Sequence, residues 1–117
     1  MPTDDDLFDK LRIELRRGAL GVAVLTALRK ERYGYVLRKM LEAAGLQIDE
    51  GALYPLLRRL ETQGLLTSQW REEGKRNKRF YRLSPDGERV LALLLAEWNS
   101  ISDSILRLSD GDRDGPA

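Results

Sequence analysis

This 117-residue chain predicts a mainly α fold with a β-hairpin, arranged as a winged helix-turn-helix followed by a long C-terminal dimerisation helix. Three features carry that reading. Apolar residues recur at helical spacing from Leu7 to Leu60, and composition turns strand-like on either side of 74-GKRN-77. Helical spacing then returns after 84-SPD-86.

The elements follow in order. Residues 4–16 hold Leu7, Leu11 and Leu15 at intervals of four, which gives a short amphipathic helix with acid at its start. After Gly18, Ala19 to Leu28 is apolar nearly all round, Thr26 being the only ordinary polar side chain. A helix apolar on every side must be covered on every side, by its own core and by another helix of this chain or a second one. Tyr33-Gly34-Tyr35 opens the next helix, with Val36, Leu37, Met40 and Leu41 facing inward, Arg38 and Lys39 facing out, and Gly45 as a left-handed C-cap.

The stretch 49-DEGALYPLLRRLETQG-64 places Leu53, Leu56, Leu57 and Leu60 on one helical face, with Asp49 as N-cap and Gly64 as stop. Gly51 and Pro55 weaken a helix by about 1 and 3 kcal/mol relative to alanine. Both fall opposite the leucines, beside Arg58 and Thr62, with Ala52, Tyr54 and Arg59 on the flanks. Residues 65–73 and 77–84 then form a hairpin with a basic tip. Ser84 caps a last helix with Pro85 at its first position, running to about residue 108. The expected organisation is a winged-helix domain with its N-terminal helix over 1–83, a dimerisation helix over 84–109 and a disordered tail over 110–117.

Composition narrows the function. A chain this short has room for one modest core. At 42% apolar and 33% charged it is neither disordered nor membrane-embedded, and no apolar run approaches the roughly 20 residues of a spanning helix. The start, MPTDDDLFDK, lacks the layout of a signal peptide, and there is no cysteine for a disulfide framework, so an intracellular location is expected. Without His or Cys there are no imidazole or thiolate metal ligands and no Ser-His or Cys-His nucleophile pairs. No P-loop or Gly-rich dinucleotide motif occurs. The acids of Asp4 to Asp6 and of Glu72-Glu73 read as solvated surface. No enzymatic activity, metal or cofactor is expected.

The net charge of +1 hides an uneven distribution. Between Trp70 and Arg82, six bases face two acids, a local +4, while 4-DDD-6 and the last nine residues hold much of the acid. A local basic patch is enough for nucleic-acid contact. The bare outward face of the third helix lets its N-terminus approach a groove with amides and dipole aimed at phosphate, and lets Tyr54 and Arg58 reach base edges or backbone. The competing reading is an exposed helix start with Arg58 and Arg59 merely solvated. Lys75, Arg76, Lys78 and Arg79 make a flexible finger suited to phosphates or a minor groove. In the last helix Leu91, Leu94, Trp98, Ile101, Ile105 and Leu108 form an a/d seam widened by Val90 and Leu95. At about 36 Å it is too long for one small domain to cover. Its first turns belong to the core, and Leu94 to Leu108 to a contact with a second subunit. Trp98 is either an anchor of that contact or a wall of an inter-subunit pocket for flat apolar ligands. Trp70, Tyr81 and Leu83 read as packing residues of the wing strands.

Six segments, ELRRGALGVAVLTAL (14–28), YGYVLRKM (33–40), EGALYPLLRRLETQGLL (50–66), RFYRLS (79–84), PDGE (85–88) and AEW (96–98), together resemble the PadR family of bacterial transcriptional regulators. The resemblance spans about residues 14–98, and its most specific part is L-Y-P-x-L-x-R-L-E followed by a Y-R-L strand. It implies a winged-helix repressor, dimeric through its terminal helices, in the bacterial cytoplasm at the nucleoid. Carried onto this chain, the DNA-contacting set is Tyr35, Glu50, Gly51, Ala52, Tyr54, Pro55, Arg58 and Arg59 with Lys75, Arg76, Asn77, Lys78 and Arg79. The dimer set is Leu7, Leu11, Leu94, Trp98, Ile101, Ile105 and Leu108. The single closing helix resembles the small members, some of which bind planar aromatic drugs at the dimer interface with an aromatic in the place of Trp98. Ala52 departs from the threonine common before L-Y-P and removes a hydroxyl that could touch phosphate. The partners expected are operator duplex DNA, a second copy of the chain and a small aromatic ligand. The alternative is a winged-helix protein-interaction module that does not touch DNA.

Overall fold

The structure, a computed structural model, describes residues 3–113. Helix α1 (Asp4–Ala27) starts from a capping box in which Thr3 accepts from the Asp6 amide and Asp6 accepts from the Thr3 amide. It is one continuous helix, not a short one interrupted at Gly18. Gly18 and Gly21 each weaken it by about 1 kcal/mol, and the cap at one end together with burial of Val24, Leu25 and Leu28 at the other outweighs them. Arg32 Nε donates to the Ala27 carbonyl at 3.0 Å and closes the helix end.

A two-residue strand, β1 (Arg32–Tyr33), precedes α2 (Gly34–Ala43), which ends at Gly45 with φ 84°. Next comes α3 (Glu50–Thr62), capped by the Asp49 carboxylate accepting from the Ala52 amide at 2.9 Å and ended by Gly64 at φ 82°. Strands β2 (Leu66–Glu73) and β3 (Arg76–Leu83) form the hairpin around Gly74 and Lys75. The sheet is antiparallel in the order β1-β3-β2, with Tyr33 opposite Phe80 and Leu66 opposite Leu83. These elements have the winged helix-turn-helix order that the sequence predicts. Strand β1 was not expected: two residues carry no period, and only their pairing with β3 makes them a strand.

The core lies where α1, α2, α3 and the base of the hairpin meet. Val24, Leu25 and Leu28 pack with Leu37 and Leu41, with Ile48, Leu53, Leu57 and Leu60, and with Leu66, Tyr81 and Leu83. Each buried leucine contributes roughly 1.5–3 kcal/mol. Leu91 joins from α4 (Pro85–Arg113), as expected for that helix's first turns.

The joint between wing and α4 is tight. Ser84 Oγ accepts from the Gly87 amide at 2.9 Å and donates to the Gly64 carbonyl at 2.6 Å, while the Ser84 amide donates to Leu65 at 3.0 Å. A Cβ on Gly87 would lie 2.1 Å from the Leu65 carbonyl oxygen, so α4 can approach the link between α3 and β2 this closely only with glycine there. Helix α4 runs through Arg113, past the end expected near residue 108. Residues 110–113, expected in the tail, are helical, and 114–117 lie outside the described residues.

Candidate nucleic-acid interface

Helix α3 buries Leu53, Leu57 and Leu60 and turns Gly51, Ala52, Pro55, Arg58, Arg59 and Thr62 to solvent. The two helix-weakening residues are on the outer face, as the spacing predicts. Its N-terminus differs from expectation. The Asp49 carboxylate already holds the Ala52 amide, and Glu50 pairs with Arg38 of α2 at 3.4 Å. Two acids at that end oppose a phosphate there. Tyr54 is half-buried rather than projecting: its hydroxyl end lies over Gly34, where an added Cβ would come within 2.6 Å. It thereby seats α3 on the start of α2.

The wing also departs from a free basic finger. Lys75, Arg76 and Asn77 are exposed at the tip. Lys78 Nζ instead lies 4.4 Å from the Tyr33 ring centroid and 3.7 Å from Glu73. Arg79 is held by Glu61 at 2.9 Å and by Ser68 at 3.0 Å. Alternation along β3 is the reason, because Lys78 faces the β1 side and Arg79 the α3 side, and each finds a partner distant in sequence. Trp70 is 66% exposed, not packed in the core as its strand position suggested; it lies beside the Arg79 guanidinium, 5.5 Å from it. Tyr81 and Leu83 are buried as expected. Burial pushes the Tyr81 phenol above its ordinary 10.0, with Arg79 pulling the other way.

A continuous track of aromatic and basic side chains joins the wing tip to α2. Tyr33, Tyr35, Glu73, Lys75, Arg76 and Lys78 line a cleft of about 520 Å³. Tyr35, half exposed, stacks on Tyr33 with ring centroids 6.3 Å apart, and Arg38 and Lys39 sit 5.8 and 5.6 Å from its ring. Arg38 then reaches Glu50 at the start of α3. The structure therefore brings Tyr35, Lys75, Arg76 and Lys78 together and adds Tyr33, Arg38 and Lys39, which sequence reasoning did not include as site residues. The signal was available, since Tyr35 lies three and four residues before Arg38 and Lys39, a spacing at which helical side chains meet.

The expected subunit contact is open on the single chain. Leu7, Leu11, Leu94, Trp98, Ile101, Ile105 and Leu108 are all exposed, as are Phe8 and Leu15. Among the described residues no helix is long and apolar enough to cross a membrane, and no three His, Asp or Glu side chains converge as a metal site.

Residues 24–93 match the transcriptional regulator PadR-like family. The chain belongs to that family. A PadR-family transcriptional regulator from Eggerthella lenta is 43% identical, with 89% of this chain and 93% of that one superposed at a TM-score of 0.85. A transcriptional regulator of Mycobacterium tuberculosis is 38% identical over 79 residues, which are 67% of this chain and 74% of that protein. Bacillus subtilis PadR, solved in complex with operator DNA, is 28% identical over 66% of this chain and 47% of its own length, with a TM-score of 0.61. This chain thus spans about half of that larger PadR protein.

Proposed function

We propose that this PadR-family regulator binds an inverted-repeat operator as a homodimer and represses transcription. The observation that carries the reading is the aromatic and basic track from the exposed wing tip, Lys75 and Arg76, to Tyr35 and Lys39 of α2, with Arg38 paired to Glu50 at the start of α3, a helix that exposes Arg58 and Arg59. In it, α3 enters the major groove, where Arg58 reads base edges across the flat strip of Gly51, Ala52 and Pro55. Glu50, tied to Arg38, and Tyr54, against Gly34, hold the helix at its angle. Tyr35 and Lys39 take backbone phosphate, and Lys75, Arg76 and Asn77 take the phosphates or minor groove beside it. The operator complex of the relative from Bacillus subtilis supports DNA as the partner.

The second subunit covers the exposed seam from Leu94 to Leu108 together with Leu7 and Leu11. A two-fold dimer then sets half-sites about one helical turn apart. Trp98, 44% exposed in mid-seam, would meet its symmetry mate across the axis and offers a face for a planar hydrophobic effector that releases the operator. The chain works in the bacterial cytoplasm at the nucleoid.

A mobility shift with DNA from upstream of the chain's own gene tests the reading. A shift that survives excess unrelated duplex is expected. No sequence-specific shift at moderate salt would favour a protein-interaction module instead. For the effector, a planar hydrophobic dye should quench tryptophan emission and loosen operator binding in the parent protein, and do neither in Trp98→Ala.

A further inference from the structure

We propose that Arg79 and Glu61 are a positioning pair that locks the wing to the recognition helix, and that Arg79 is not a DNA contact. The inference rests on the DNA-binding reading above and deepens it. Arg79 Nε donates to Ser68 Oγ at 3.0 Å and Nη2 donates to Glu61 Oε1 at 2.9 Å. Ser68 Oγ donates to the other Glu61 oxygen at 2.5 Å, closing a three-membered network. Glu61 is in the last turn of α3, Ser68 is on β2 and Arg79 on β3, so one network ties both wing strands to the helix. Trp70 and Tyr81 flank the guanidinium with ring centroids 5.5 and 5.6 Å away, and the Arg79 and Glu61 side chains are about one-third exposed, at 34% and 27%.

This arrangement does not suit a phosphate contact. Glu61 neutralises the guanidinium, and using Arg79 on DNA would break two hydrogen bonds and leave the half-buried carboxylate unpaired. Among the described residues, Lys75 and Arg76 at the tip form no salt bridge and stay available. What the pair controls is distance. The groove contacts of α3 and the backbone contacts of the wing must fit one duplex simultaneously, and the hairpin could otherwise pivot on its short base. Lysine cannot replace arginine here, because a single ammonium cannot reproduce the planar fork that reaches two acceptors while lying between aromatic rings.

The sign of one effect separates positioning from electrostatics. Glu61→Gln removes a negative charge near the DNA face, so a purely electrostatic role tightens binding to every duplex. Positioning instead weakens operator binding although the protein has become more positive. The experiment titrates the parent, Glu61→Gln, Arg79→Lys and Arg76→Ala against an operator selected by the parent protein and a scrambled duplex, over a range of salt. Active fraction is fixed by stoichiometric titration and folding by the cooperative thermal melt, with Ser68→Ala as a milder second probe of the network.

Glu61→Gln and Arg79→Lys are each expected to lose about tenfold in operator affinity. Scrambled-duplex affinity should stay level, or rise for Glu61→Gln, with the salt slope unchanged. Arg76→Ala should lower the slope by about one. Tighter operator binding by Glu61→Gln, or parental affinity in Arg79→Lys, overturns the proposal. A parent protein that selects no operator overturns the DNA reading and this role with it, whereas a discriminating parent with equally discriminating variants overturns the positioning role alone.

Discussion

Gly34 is the position where one methyl group would most disturb the contact between α2 and α3. Its Cβ would meet the Tyr54 hydroxyl at 2.6 Å, so Gly34→Ala must push that ring out of its seat. A loss of about 1–3 kcal/mol in urea unfolding is expected, and it should be non-additive with Tyr54→Ala, since the second change removes what the first collides with. Tyr81 gives a pH prediction. Its phenol titrates above 10.0 in the fold because burial favours the neutral form. The folded state therefore holds its proton more tightly, and that stability is fully present below the unfolded value and lost as pH climbs through the folded one. Urea midpoints should fall above pH 10 in the parent and fall less in Tyr81→Phe. Single residues were unevenly legible. Asp49, Gly45, Gly64 and Ser84 act on neighbours a few positions away, so their types announced them. Arg79 and Lys78 looked like free cations because Glu61 and Tyr33 lie far off in the chain and only the fold brings them together.

Among elements, α2, α3 and the hairpin were readable because period, cap and turn residue agreed in each. Helix α1 was misjudged at Gly18 because local propensity is a weak term beside a capped start and a buried end. The two residues of β1 were unreadable, since the strand exists only through its pairing with β3. The joint before α4 provides a test. With the Leu65 carbonyl oxygen 2.1 Å from a Cβ on Gly87, backbone rather than a yielding side chain blocks substitution. Gly87→Ala should cost at least about 2 kcal/mol by displacing α4 or the link between α3 and β2. On α4, Leu94→Glu or Ile101→Glu places a charge in the exposed seam and should yield monomer in sedimentation velocity without loss of helical circular dichroism. A dimer in both variants would move the subunit contact elsewhere.

At the scale of the whole molecule, the described residues have a radius of gyration of 17.9 Å and extents of 64 × 38 × 23 Å. A compact chain of this length would have about 13 Å. The excess comes from helices that extend beyond their own core, with Leu7, Phe8, Leu11 and Leu15 exposed along α1 and Trp98 to Leu108 along α4. So much apolar surface outside the core is what a second subunit would cover. The overhang of α4 followed from the length of the final a/d seam, whereas the approach of the wing tip to Tyr33 and Tyr35 arises only from the fold. In the dimer proposed above, two copies of that track related by a two-fold axis would make one palindromic reader. Binding-site selection from a random duplex pool at about 0.15 M salt tests this most directly. One enriched inverted repeat is expected, with half-sites about one helical turn apart and two chains bound per duplex. A pool that stays unenriched, or a single half-site bound by one chain, would contradict it.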